Sequence, residues 1–231
     1  LYASWSQGFR LGDVRAPNTV PACDADLDGF YDEYPNVPTT ASPIESDKLD
    51  NYEVGAKFSG ADGKFIANAT AYHIDWDGIP ISALQPCGIS VVLNAGQAES
   101  QGLEFETSYS FDGGLFLGAT ASYTDATLTG DFQGLGNDGD RLPGIPKFTF
   151  SFNGGYDFVV AGYDAYVSAN YTRVGGFYNT LGETGTEAGD YGRLDFDAGL
   201  DLGDATLSIF ADNVTNEGEI TSVYVTLGGL S

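Results

Sequence analysis

Apolar and polar residues alternate one by one through much of this chain. In residues 193–212 the apolar set is Leu194, Phe196, Ala198, Leu200 and Leu202; Arg193, Asp195, Asp197, Gly199 and Asp201 fall between them. A side-chain period of two puts the two sets on opposite faces of one strand. Gly203-Asp204 is turn chemistry. Ala205, Leu207, Ile209 and Ala211 then resume the apolar face, with Thr206, Ser208 and Asp212 opposite and Phe210 out of pattern. This predicts a hairpin with one apolar face and one mostly polar face.

The same signal recurs upstream. A short strand is predicted over 1–8. Tyr52, Val54, Ala56 and Phe58 oppose Asn51, Glu53, Gly55 and Lys57, and the Gly/Asp-rich stretch 59–63 turns the chain. Residues 64–76 follow with poorer alternation, since Ile66, Tyr72, Ile74 and Trp76 share a face with Asn68 and Thr70. The strand over 93–111 sets Leu103, Phe105, Thr107 and Tyr109 against Gly102, Glu104, Glu106 and Ser108. Leu115–Tyr123, Phe148–Tyr156 and Tyr163–Val174 alternate likewise. Another strand is expected over 220–227.

The connections set the class. Long irregular segments are expected at about 10–47, 77–92, 125–146, 175–190 and 213–219, with tight turns between them. Antiparallel neighbours place successive connections at opposite ends, so one end carries the turns and the other the long loops. Outer-membrane barrels segregate loops in this way, with short periplasmic turns and long extracellular loops. The apolar face, with aromatics such as Tyr123, Phe148, Tyr156, Tyr163 and Tyr171 near strand ends, fits a lipid surface with aromatic girdles. The small polar face fits a wet lumen. The competing architecture is a soluble β-sandwich with the apolar face inward.

Composition narrows the partners. The 231 residues carry 33 Asp+Glu against 9 Lys+Arg, a net charge of −24. Nucleic-acid binding needs a basic surface, so that partner is excluded. No run of about 20 apolar residues exists to make a membrane-crossing helix, which leaves a barrel open. The chain opens in mid-strand without a signal peptide and is read as a piece of a longer protein.

Six motifs carry a family resemblance. They are YASWSQGFR at 2–10, ESDKLDNYEVG at 45–55, AYHIDW at 71–76, NAG at 94–96 with SQGLE at 100–104, RLPGIPK at 141–147 and DNVTNE at 212–217. In that order and spread they resemble the C-terminal barrel portion of TonB-dependent outer-membrane receptors. The resemblance implies an all-β, antiparallel up-and-down transmembrane barrel of roughly 22 strands, about nine or ten of them here. It further implies location in the Gram-negative outer membrane, contact with its lipid, and energy-dependent uptake of a scarce solute of the siderophore-iron, cobalamin or oligosaccharide class. The TonB complex would act through a plug that has no counterpart in these residues. Two other classes are kept open: a passive porin-like channel and a secreted calcium-binding β protein.

Candidate sites are few. Asp24, Asp26 and Asp28 with Gly29 form D-x-D-x-D-G, the front half of a calcium loop. The Phe30 carbonyl would be a fourth ligand, and Asp32 and Glu33 further donors; Pro35 stands where a bidentate acid is expected. The alternative is a solvated acidic loop. Cys23 and Cys87 fall in successive long loops on the same side, where an oxidising exterior favours a disulfide over two free thiols. His73 is the single histidine and is read as structural rather than as a ligand; no carboxylate pair stands in a recognisable catalytic context, and no enzyme signature is found. Phe30, Tyr31, Tyr34, Phe132, Phe177 and Tyr178 are loop aromatics able to touch a ligand or to pack loops together; no substrate-binding residue is assigned.

Overall fold

The computed structural model describes residues 1–222, apart from 19, 133–135 and 184. Nine strands make one antiparallel meander in chain order: β1 (Tyr2–Arg10), β2 (Asp47–Gly60), β3 (Phe65–Leu84), β4 (Ser90–Ser110), β5 (Leu115–Leu128), β6 (Phe148–Val160), β7 (Tyr163–Val174), β8 (Tyr191–Asp201) and β9 (Thr206–Ala211). Every strand pairs with its sequence neighbours and no crossover intervenes. The sheet does not close: β1 and β9 are its two edges, and both are almost wholly exposed.

Below Asp77 the register carries each face intact across the sheet; between Asp77 and Pro80 it shifts against β4. Val54 pairs with Ala71, Ala71 with Leu103, Leu103 with Tyr123 and Tyr123 with Phe148. On the other face Glu104 pairs with Thr70 and Ser122, Asn153 with Asn170, and Asn170 with Asp195. Phe210 pairs with Asp197 on the polar face, so it breaks the alternation of the final hairpin in three dimensions as in sequence.

A tyrosine–glycine pair accounts for the place of Tyr72 on the polar face of β3. Tyr72 points to the polar face and lies across Gly102 of the next strand, where a Cβ would come within 2.5 Å of its hydroxyl. That hydroxyl meets Thr124 Oγ1 at 2.9 Å. Tyr2 covers Gly55 in the same manner and also hydrogen-bonds Glu53 and Thr70. A glycine leaves room for the neighbouring ring to lie flat, and the ring restores the contact that the missing side chain gives up.

The turn end is tight. Ala161 and Gly162 both have positive φ (53° and 86°), as a two-residue hairpin of the primed type requires. At Leu202–Ala205, Gly203 takes φ 88° and the Leu202 N–H donates to the Ala205 carbonyl at 2.8 Å. An L-residue at Gly203 would be strained by that angle.

The loop end differs from expectation. Residues 77–92, read as a loop, are mostly strand. β3 runs on to Leu84, β4 begins at Ser90, and only 85–89 connect them. The reason is packing: Ile79, Ile81, Val91 and Leu93 are all buried, so this stretch has a core of its own to fill. Likewise β5 reaches Leu128, into the expected loop 125–146. The segments 11–46 and 175–190 are connections, carrying small ladders at 13–15 with 42–44, 30–31 with 34–38, and 177–178 with 187–188. The strand expected over 220–227 shows no strand at 220–222, and its remainder lies outside the described residues.

The core therefore sits in an unusual place. Among the described residues every buried apolar side chain belongs to the loop end. One cluster joins Ile79, Ile81, Ala98, Ala126, Leu128, Leu142 and Leu181; Trp76, Phe132 and Ile145 pack on it. A second joins Cys23, Tyr31, Val91 and Leu93, with Tyr34 and Val37 alongside. Halfway along the strands nothing covers the apolar face: Leu103 is 60% exposed and Ile209 69%. A sandwich would cover that face with a second sheet, and none of the described strands does so. Exposed apolar surface on this scale requires an apolar medium.

Candidate functional site

The polar face is a hydrogen-bonded wall. Asn68 Nδ2 donates to Glu106 at 3.1 Å, Thr120 and Ser151 share a 2.8 Å bond, and Arg193 Nε reaches Asp195 at 3.0 Å. At the upper end of this face Asp47, nearly buried, accepts from Arg10 Nη2 at 2.6 Å and Trp76 Nε1 at 2.8 Å. That triad ties β1, β2 and β3 where the cap begins.

The opposite face changes character along its length. Above Trp5, Tyr52, Tyr123 and Phe148, outward positions turn polar: Asp50, Asp75, Asp77, Glu99 and Asp125. Asp50 accepts from Trp5 Nε1 at 3.2 Å and Gln7 Nε2 at 2.7 Å, and pairs with Lys48 at 2.9 Å. His73 lies on this outer face and meets Asp75 at 3.1 Å, a structural position away from the polar wall. At the turn end Phe58, Phe65, Tyr109 and Phe111 form a chain of ring contacts between 4.4 and 6.2 Å. Two aromatic levels thus bracket an apolar band, as at the two surfaces of a bilayer.

Above the sheet, the cap brings the sequence candidates together in part. Cys23 and Cys87 are joined in a disulfide with a Cα–Cα distance of 5.3 Å, linking the first long connection to the 85–89 turn. Asp24, Asp26 and Asp28 converge, one carboxylate oxygen from each lying within 4.8 Å of the others. Gly29 supplies the turn at φ 91°. Asp32 faces elsewhere: both its oxygens accept from the Ala25 N–H, at 3.1 and 3.2 Å. Neither Asp32 nor Glu33 joins the cluster, and the Phe30 N–H donates to Asp28 Oδ1 at 2.8 Å. Of the loop aromatics, Tyr31 is buried in the second cluster, with Tyr34 against it, and Phe132 packs on the first. Phe177 and Tyr178 are half-buried in their ladder.

One feature escaped the alternation pattern. Arg15, Tyr34, Val37, Ser42, Leu93 and Phe132 line a cleft of about 560 Å³ between the first and third long connections. Burial lowers the Arg15 pKa below the ordinary arginine value, while a guanidinium stays charged throughout the working range. Burial, then the nearby Glu33 charge, raises the Tyr34 phenol. The sequence signal was a scarce arginine in a loop otherwise acidic.

Known proteins share this architecture. Residues 1–216 match the family model described as TonB dependent receptor-like, beta-barrel. The metal-pseudopaline receptor CntO of Pseudomonas aeruginosa is 29% identical over 167 residues, covering 71% of this chain and 23% of the receptor. The pesticin receptor of Yersinia pestis is 26% identical over 187 residues, 80% of this chain and 27% of its own length. The crystal structure of the ferric yersiniabactin uptake receptor FyuA from Yersinia pestis superposes with a TM-score of 0.72 at 19% identity, covering 93% of this chain and 29% of that one. The chain thus spans about a quarter of the length of these relatives. With its two unlike faces, aromatic girdles and one-sided loops, it belongs to the TonB dependent receptor-like β-barrel family and forms part of an outer-membrane barrel wall.

Proposed function

We propose that the complete receptor containing this chain imports a scarce metal chelate of the siderophore class across the outer membrane, driven by the TonB complex. The supporting observation is the packed loop cap standing over a polar sheet face, in a chain whose relatives are named as receptors for a metal-bound or ferric ligand. A selective receptor needs such a roof, since ordered loops hold recognition groups in place. A porin-like channel needs only a wet lumen, and its uptake would be independent of TonB. The test is uptake of radioactive iron, presented as a panel of ferric chelates, by cells carrying or lacking the complete gene in strains with and without TonB. We expect at least one chelate whose uptake needs both. Uptake that persists without TonB would overturn the reading in favour of the porin, and cobalamin or oligosaccharide dependence would replace the cargo class.

A calcium ion at Asp24, Asp26 and Asp28 is a second reading, supported by the convergence of the three carboxylates and by Asp24 Oδ1, a buried oxygen with no hydrogen-bond partner. A hard cation is the natural partner for such an oxygen. Because Asp32 and Glu33 stand apart, three carboxylates and water would complete the shell, which places affinity in the weak range of about 10⁻⁴–10⁻³ M. Calorimetry of the complete receptor with calcium chloride should show this binding, weakened at least tenfold by Asp26→Ala. An absence of heat with the unmodified receptor would retire the site.

A further inference from the structure

We propose that the cap cleft is a binding site for the carboxylate of a planar, singly charged organic acid, with Arg15 as the receiving group. The inference begins with charge. Nine basic side chains stand among 33 acids. Among the described residues all but Lys57 and Arg15 hold a carboxylate within 4.0 Å. Lys57 lies 5.2 Å from the Tyr2 ring centre instead. Arg15 has only neutral partners: Nε and Nη2 donate to the Val92 carbonyl at 2.9 and 2.5 Å, and Nη1 to Ser42 Oγ at 2.8 Å.

A guanidinium carries five N–H donors, and these contacts use three. Two remain, on a half-buried cation without a counter-charge, at the wall of a cleft large enough for a small molecule. In a chain this acidic, such a cation favours an anion over a neutral ligand at the cleft. Its geometry is fixed. Residues 13–15 pair with 42–44, Val92 belongs to β4, and Asn94 Nδ2 bonds both Glu45 and Gly78 carbonyls, at 2.9 and 3.0 Å. A fork held in place before the ligand arrives binds a carboxylate without paying to order a long side chain.

The remaining walls choose the rest of the ligand. Val37, Leu93 and the rings of Tyr34 and Phe132 favour a flat apolar or aromatic body. Asp131, also at the cleft, disfavours a second negative charge on it. Phe132 packs against the cluster built on Ala98, Ala126 and Leu128, which share the polar-wall side of their strands, so the cleft lies over the lumen face. Assigning this site to the imported cargo rests on the uptake reading above; the anion site itself does not.

The test uses benzoate as the probe and benzamide as its neutral counterpart, by saturation-transfer NMR on the complete receptor in detergent. Benzoate should give a saturable signal at least tenfold stronger in affinity than benzamide. Arg15→Gln should weaken benzoate tenfold or more, and Arg15→Lys, which keeps the charge and loses the fork, should fall between. Protease resistance of the cap in each variant reports that its fold is kept. Equal binding of benzoate and benzamide, no saturable benzoate signal, or full binding by folded Arg15→Gln would overturn the proposal. A receptor that takes up its chelate yet ignores benzoate rejects the anion site alone; one that binds benzoate but transports no chelate rejects the uptake reading alone.

Discussion

Replacing Cys23 and Cys87 with serine should open the loop cap while leaving the sheet in place. The bridge spans 64 residues of sequence and joins the first long connection to the turn between β3 and β4. With the sheet kept, the free chain closed by the bridge is the stretch from Cys23 to β2, and closing a loop of roughly 25 residues removes chain entropy worth roughly 3 kcal/mol from the opened state, about two orders of magnitude in an opening equilibrium. What else holds that part of the cap is local: the Arg15 bonds to Val92 and Ser42, the Asn94–Glu45 bonds and a small cluster. The second cluster buries only Cys23, Tyr31, Val91 and Leu93 fully, and its small ladders are two to five residues long. Hydrogen exchange on the complete receptor should show residues 13–44 losing most of their protection in the double variant or under reductant. Strand β5, paired on both sides far from the bridge, should exchange unchanged. Equal protection with and without the bridge would mean that packing alone holds the cap.

The second large effect comes from charge on the apolar face. Phe105 points outward between the two aromatic levels, with Ala69 and Ala121 as its strand partners. An arginine in its place meets hydrocarbon, at a cost of about 2–4 kcal/mol near the bilayer midplane. Thr120, opposite Glu106 and Ser151 on the polar face, is as open but faces the lumen. Arginine there meets water and a carboxylate and should cost less than about 1 kcal/mol. Denaturant titration of the complete receptor in lipid should rank Phe105→Arg well below Thr120→Arg. Equal penalties would contradict the assignment of faces, and a soluble sandwich would predict that Thr120→Arg is harmless in water without detergent.

The contrast between strands and cap follows from what alternation can report. In β4–β8 one face meets lipid and the other water, so each residue type reads out its own environment, and Leu103–Glu104–Phe105–Glu106 gives the register directly. Tyr72 looked out of place because its partner is Gly102, a neighbour set by strand pairing and invisible along the chain. The upper end of β3 and the first residues of β4 lack this signature for a related reason. Ile79, Ile81, Val91 and Leu93 pack under loops rather than against lipid, so their strands lose the two-face signature while remaining strands. The pairing of Cys23 with Cys87 was legible, because two cysteines on one side of the sheet leave a single partner choice. The acidic loop was legible only in part: D-x-D-x-D-G locates three converging carboxylates, but Asp32 is claimed by the Ala25 N–H, a competition that spacing does not reveal. The Arg15 cleft is assembled from three distant segments and left only its unusual charge in the sequence.

The central claim is that one face of this sheet meets lipid and the other the lumen. Spin labels placed singly at Leu103, Glu104, Phe105 and Glu106 of the complete receptor in bilayers test it most directly. The two cysteines of this chain, Cys23 and Cys87, are bridged. Collisions with oxygen, which concentrates in hydrocarbon, should dominate at 103 and 105, and collisions with a water-soluble nickel chelate at 104 and 106, with a period of two. A uniform profile along the four positions, or nickel access at 103 and 105, would contradict the account.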